Sequence, residues 1–133
     1  MMRSSLLALL AALLLITGLQ SCSSLPGDGG TSTIQGKIYV ERYNEFGTMY
    51  QEYYGGEIRV YIVYGDNVGY DDETRTSYDG TYKFPFLRKG NYTIFVYSDC
   101  LTCDGSVEVR KEEVEITDNN QIVEVPDIVI ENR

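Results

Sequence analysis

The chain reads as an all-β protein, an antiparallel sandwich or barrel of seven or eight short strands. Three observations carry that reading. From Ile34 onward apolar residues recur at every second position, the period of a strand with one buried face. Turns rich in Gly, Asp and Asn punctuate these runs at short intervals. No stretch after residue 22 shows the 3.6-residue period of an amphipathic helix.

The first run places Ile34, Gly36, Ile38 and Val40 on one face and Lys37, Tyr39, Glu41 and Tyr43 on the other. Beyond Gly55-Gly56, Ile58, Val60, Ile62 and Tyr64 alternate with Arg59, Tyr61 and Val63, and Gly65-Asp66-Asn67 ends the run. Asp79-Gly80 opens a third stripe of Tyr82, Phe84 and Phe86, with Leu87 closing one end of the core. Lys89-Gly90-Asn91 turns the chain into a fourth stripe, Tyr92, Ile94 and Val96. After Asp104-Gly105 the parity changes: Val107 and Val109 are odd, Val114 and Ile116 even. A strand that keeps one buried face through such a change needs a bulge or kink, expected near residues 110–113. Asp118-Asn119-Asn120 precedes the last apolar segment, residues 122–130, in which Pro126 marks a bulge or an edge.

A leader precedes this pattern. Arg3 gives a basic start, residues 6–16 are unbroken apolar, and Leu19-Gln20-Ser21-Cys22 ends the segment. Spanning a bilayer takes ~20 apolar residues, so the run suits the core of a cleaved secretory signal. Its ending resembles the lipobox of bacterial lipoproteins. That resemblance implies cleavage after Ser21 and a lipid on Cys22, which becomes the mature N-terminus. It also implies a cell-envelope location, with Ser23 resembling outer-membrane sorting in a Gram-negative bacterium. Residues 23–33 are rich in Gly and Ser and read as a flexible tether. The expected order is a signal peptide over 1–21, a lipidated tether over 22–33 and one domain over 34–133. Fully extended, the tether would reach roughly 35 to 40 Å and hold the domain clear of the membrane.

Residues 76–98 carry a Thr, then Asp79-Gly80, Tyr82-Lys83-Phe84, Leu87-Arg88-Lys89-Gly90 and Tyr92-Thr93-Ile94-Phe95-Val96. This succession resembles the central signature of carboxypeptidase regulatory-like domains, whose fold is transthyretin-like (prealbumin-like). The resemblance implies an antiparallel Greek-key β-sandwich of seven or eight strands over most of residues 34–130. It speaks to fold, since the motif consists of turn and core residues and not of reactive groups.

Composition narrows function further. The chain has no His, and its formal charge is −9. Arg3 is the leader's one charge, so the remainder is one unit more acidic. Without His, the commonest general base, Ser-His and Cys-His pairs and most catalytic zinc sites are missing. A strongly acidic domain is also a poor partner for nucleic acid. No nucleophile–base pair or phosphate loop stands out, so the chain reads as a non-enzyme with no expected cofactor. With Cys22 lipidated, Cys100 and Cys103 remain as a pair in an oxidising compartment and are expected to form a local disulfide. So short a loop contributes about 2 kcal/mol in the chain-entropy model.

Two clusters are candidates for more. Asp71-Asp72-Glu73, close to Asp66 and Asn67, is the densest run of oxygen ligands for calcium, but Val68 and Tyr70 break the alternation of an EF-hand loop. Lys37 with Asp127 or Asn132 invites comparison with isopeptide-crosslinked sandwiches, although residues 93–98 supply no carboxylic acid to shuttle the proton.

The chain has 12 Tyr and no Trp. By parity Tyr39, Tyr43, Tyr61, Phe95 and Tyr97 face away from the core stripes. Aromatics with a polar handle suit protein and glycan contacts alike. Tyr39, Tyr61, Phe95 and Tyr97 are therefore the expected partner-binding surface of a lipid-anchored binding or adhesion module for an envelope protein or glycan. The alternative is a structural spacer or accessory subunit of an envelope complex.

Overall fold

A computed structural model describes residues 25–133. It is a β-sandwich of nine strands: β1 (Asp28–Tyr43), β2 (Met49–Tyr54), β3 (Arg59–Tyr64), β4 (Asp72–Arg75), β5 (Thr81–Leu87), β6 (Gly90–Asp99), β7 (Val107–Ile116), β8 (Ile122–Glu124) and β9 (Ile128–Asn132). One 3₁₀ turn, Asp104–Ser106, joins β6 to β7. The first sheet is organised around β1, and the second runs in the order β4-β3-β6-β7.

β1 is long enough to serve two partners on each edge. Along one edge β5 pairs with its first half and β2 with its second, both antiparallel. The exchange falls at Ile38, whose N–H donates to Gly80 O and whose carbonyl accepts from Gly55 N, both at 3.0 Å. A strand residue aims both groups at the same edge, so β2 and β5 lie end to end there. Gly80 has φ +83, and a Cβ on it would lie 2.9 Å from the Ile38 carbonyl oxygen, so the junction requires glycine. Along the other edge β8 and β9 pair with β1 in parallel. Pro126 falls between these two strands and interrupts the ladder. The first sheet is thus mixed, where a wholly antiparallel sandwich of seven or eight strands was expected.

The core lies between the sheets and contains Ile34, Ile38, Val60, Ile62, Tyr82, Phe84, Leu87, Tyr92, Ile94 and Val96, with Val114, Ile116, Ile128 and Ile130 closing it. The period-two reading holds for these strands. It fails at Phe86, which is 70% exposed with φ +58. The β1–β5 register shifts there, so Leu87, one residue on, takes the core position. The expected kink near residues 110–113 is also corrected. β6 and β7 pair without interruption from Gly90↔Ile116 to Asp99↔Val107. Val107 and Val109 face outward, while Glu108, Arg110 and Glu112 occupy the partly buried inward side of this edge strand.

The expected tether over 22–33 is corrected as well: β1 begins at Asp28, and residues 26–33 belong to the sandwich. Gly27 is buried. Its N–H donates to Tyr92 Oη at 2.8 Å, and its carbonyl accepts from Arg88 N at 2.8 Å. Pro26 packs on Gly90, and Gly30 lies against the Leu87 carbonyl. Ser32 is fully buried, donating to the Asp118 carbonyl at 2.8 Å and accepting from Gln121 N at 3.0 Å. Gly27, Gly30 and Ser32, which suggested flexibility, are small because a second chain segment passes close to them. The leader and Cys22 lie outside the described residues.

Candidate functional site

The outer face of the second sheet gathers most of the outward aromatics. Alternation along β3 sends Val60 and Ile62 inward, leaving Arg59, Tyr61 and Val63 outside. Along β6, Tyr92, Ile94 and Val96 go in and Phe95 and Tyr97 go out. The β3–β6 register sets Tyr61 directly opposite Phe95. Their rings stack at 4.9 Å with planes 13° apart. Tyr97 stands edge-on to both, 5.6 Å from Tyr61 and 5.8 Å from Phe95.

A fourth ring joins from the β3–β4 connection: Tyr70 lies 4.8 Å from Tyr61. Asp71 sets its position. The Asp71 carboxylate accepts from Tyr64 N at 2.7 Å and Asn67 Nδ2 at 3.0 Å, and its N–H donates to the Ile62 carbonyl at 2.9 Å. The acid that looked like a metal ligand thus clamps the turn. Its neighbours point elsewhere: Asp72 accepts from Glu73 N at 2.8 Å, and Glu73 faces Arg59 at 3.9 Å. Asp71, Asp72 and Glu73 do not converge on one point.

Across the sheet Phe95 stands opposite Lys111 and Tyr97 opposite Val109, while Tyr61 stands opposite Glu73. Tyr97, Tyr70, Val107 and Val109 are each about half exposed, from 46% to 55%. The result is an apolar strip rimmed by Arg59, Glu73 and Lys111. Tyr70 and the two valines escaped the sequence reading. Tyr70 lies in a connection with no periodicity, whereas the odd parity of Val107 and Val109 already marked them as outward.

Tyr39 does not belong to this strip, which corrects the expected four-residue surface. It lies on β1, in the other sheet, opposite Tyr54 and Val129. Its ring meets Tyr54 edge-on at 5.1 Å. Lys37 Nζ sits 4.8 Å from the Tyr54 ring centroid, and Tyr54 Oη donates to Asp127 at 2.7 Å. Lys37 and Asp127 therefore meet through a tyrosine, while Asn132 pairs further along, with Arg42. The hydrogen bond to Asp127 pushes the Tyr54 pKa up, and the phenol stays neutral. One row on, Glu52, Glu41 and Glu131 stand side by side across the first sheet. Three carboxylates in a row suit apolar docking poorly, and the outer face of the second sheet holds the more continuous apolar strip.

Cys100 and Cys103 form a disulfide at the β6–β7 connection. Glu108 lies close enough to have completed a metal site with them, but both sulfurs are committed to each other.

No family model matches the chain, and no curated protein matches it in sequence. Among solved structures it is similar to a candidate carbohydrate binding protein from Pseudomonas aeruginosa. The identity is 14% and the TM-score 0.47, over 80% of this chain and 91% of the other.

Proposed function

We propose that the protein is a non-catalytic cell-envelope module, anchored by a lipid on Cys22, that holds a protein partner on the outer face of its second sheet. The observation that carries this reading is the Tyr61–Phe95–Tyr97 cluster, in which exposed Tyr97 stands on half-buried Tyr61 and Phe95 beside exposed Val107 and Val109. Exposed aromatic and aliphatic side chains with a charged rim make up the usual centre and border of a protein interface.

Ring geometry favours protein over glycan. A sugar stacks on an open ring face, and the inner faces of Tyr61 and Phe95 are spent on each other. An apolar protein surface needs only the edges and tips that remain.

The test is photocrosslinking in native membranes from a photoreactive residue placed at Val109, followed by mass spectrometry. A discrete protein adduct, absent when the photoreactive residue replaces Lys83 on the first sheet, is expected. Adducts only to lipid or glycan, or equal capture from both sites, would refute the reading. Cys22→Ala checks the anchor separately: it should release the protein from membranes, because several acyl chains at ~0.8 kcal/mol per methylene are needed for stable attachment.

A further inference from the structure

The end of the sandwich where β1 begins combines three features that occur together nowhere else among the described residues. First, it carries large apolar side chains in water. Phe86 is 70% exposed, Ile122 65% and Leu25 74%. Register places Phe86 and Ile122 close together, since Leu87 pairs with Ser32 and Ile122 with Thr33, and Leu25 precedes them where the chain enters. Phe86 holds its exposed position at φ +58, a conformation costly for a bulky residue.

Second, this end carries two adjacent bases, Arg88 and Lys89, in a depression shared with Gly29, Gly30, Thr31, Asn119 and Asn120. Neither base enters an ion pair among the described residues, although four other cations of this acidic domain do. Arg88 Nε is buried without a hydrogen-bond partner. The nearby carboxylates are Asp28, which accepts from Tyr64 Oη at 3.0 Å, and Asp66, Glu115 and Asp118 on the neighbouring connections and the end of β7.

Third, the chain enters the fold here. Pro26 is packed on Gly90, so only Ser23, Ser24 and Leu25 separate Cys22 from fixed structure. Four Cα–Cα steps reach at most about 14 Å whatever their course. The headgroup layer itself takes up about 5 to 7 Å of that.

We infer that this end of the sandwich rests on the membrane surface, with Phe86 and Ile122 in the interface and Arg88 and Lys89 against lipid phosphates. The inference rests on the reading of Cys22 as lipidated. Aromatic and aliphatic side chains with adjacent bases are the combination that partitions into a lipid–water interface. Each base near an anionic surface strengthens the attraction several-fold. Lys89 is exposed and Arg88 half-buried, with its Nε covered, so a phosphate would meet the Lys89 ammonium and the terminal guanidinium nitrogens of Arg88. From Ser32, β1 then runs away from the bilayer for roughly 35 Å to Tyr43, just before the Phe46 hairpin tip.

The absence of Trp from the chain allows a clean experiment. Phe86→Trp and Phe46→Trp, each in the mature lipidated protein, are reconstituted into vesicles of phosphatidylethanolamine and brominated phosphatidylglycerol. Trp at position 86 should lose emission several-fold, while Trp at position 46 keeps its emission and stays open to iodide. Arg88→Gln with Lys89→Gln should abolish most of the position-86 quenching while the protein still sediments with the vesicles. Sedimentation without quenching at position 86 overturns the inference and leaves the anchor standing. Failure to sediment removes the anchor reading and this inference with it. Quenching that survives loss of both bases overturns the phosphate contact. Saturable binding of inorganic phosphate to the Cys22→Ala form, with no quenching in vesicles, would assign the bases to a soluble anion and overturn the membrane contact.

Discussion

Gly36 and Tyr82 face each other across the β1–β5 pair, and a Cβ at position 36 would lie 2.6 Å from Tyr82 Oη. The glycine makes room for a phenol that is 1% exposed and whose hydroxyl has no hydrogen-bond partner among the described residues. An unsatisfied buried hydroxyl costs about 1 to 3 kcal/mol, so Tyr82→Phe should raise the melting temperature. Gly36→Ala should lower it by forcing Tyr82 out of place. In the double variant the Ala should cost somewhat less, since the nearest atom is gone while the ring carbon behind it, 2.9 Å from that Cβ, stays; chemical denaturation of all four proteins would measure the coupling. Additive effects would mean that the ring does not need the space.

Tyr92 ties the entering chain to the sandwich. Its hydroxyl accepts from Gly27 N and donates to the Arg88 carbonyl at 2.6 Å. Tyr92→Phe leaves the buried Gly27 N–H without an acceptor, at a cost of about 1 to 3 kcal/mol. Hydrogen exchange should locate the change: amides 27–33 should lose protection well before those of β6. Uniform loss across both sheets would mean that the first residues of β1 are not separately held.

This segment also shows where sequence reading reached its limit. Glycine and serine serve equally well in a loose tether and beneath a crossing chain. The difference lies in what passes nearby, Arg88, Leu87 and Asp118, which are 55 or more positions away in sequence. Core alternation was legible because each strand carries its own pattern, and Tyr61, Phe95 and Tyr97 could be assigned outward from it. Which sheet Tyr39 joins depends on pairing between distant strands, and single-strand parity carries no such information. At β7 the assumption that valine means core misled, since this edge strand turns charged side chains inward and shows Val107 and Val109 to solvent.

Asp79 gives the turn before β5 a pH dependence. Its carboxylate accepts from Thr81 N at 3.1 Å, and this bond holds its pKa below the ordinary carboxylate value of about 3.9. A group depressed in the folded state adds stability above its unfolded pKa and loses it as pH falls through the lower folded value. The melting-temperature gap between the parent and Asp79→Ala should therefore be constant above about pH 5 and shrink on further acidification. A gap that widened in acid would show that the carboxylate is not held in its charged form.

The aromatic strip has to be separated from ordinary sheet packing. Tyr61 touches Phe95, Tyr97 and Tyr70, whereas Tyr97 touches only Tyr61 and Phe95 within the cluster and is 53% exposed. Aromatic pairs contribute about 0.5 to 1.5 kcal/mol each beyond their buried area. Tyr61→Ser should therefore lower the melting temperature by several degrees and Tyr97→Ser by clearly less. Partner capture should follow the opposite order in sensitivity, with Tyr97→Ser weakening it strongly at little expense in stability, because the more exposed ring has more area left for a partner. Lys111→Glu offers a check that spares every ring: it changes the rim charge beside Phe95 and should alter the salt dependence of capture while leaving melting unchanged. If Tyr97→Ser melts as early as Tyr61→Ser and capture is untouched, the cluster serves the sheet alone, and the partner sits elsewhere on the domain.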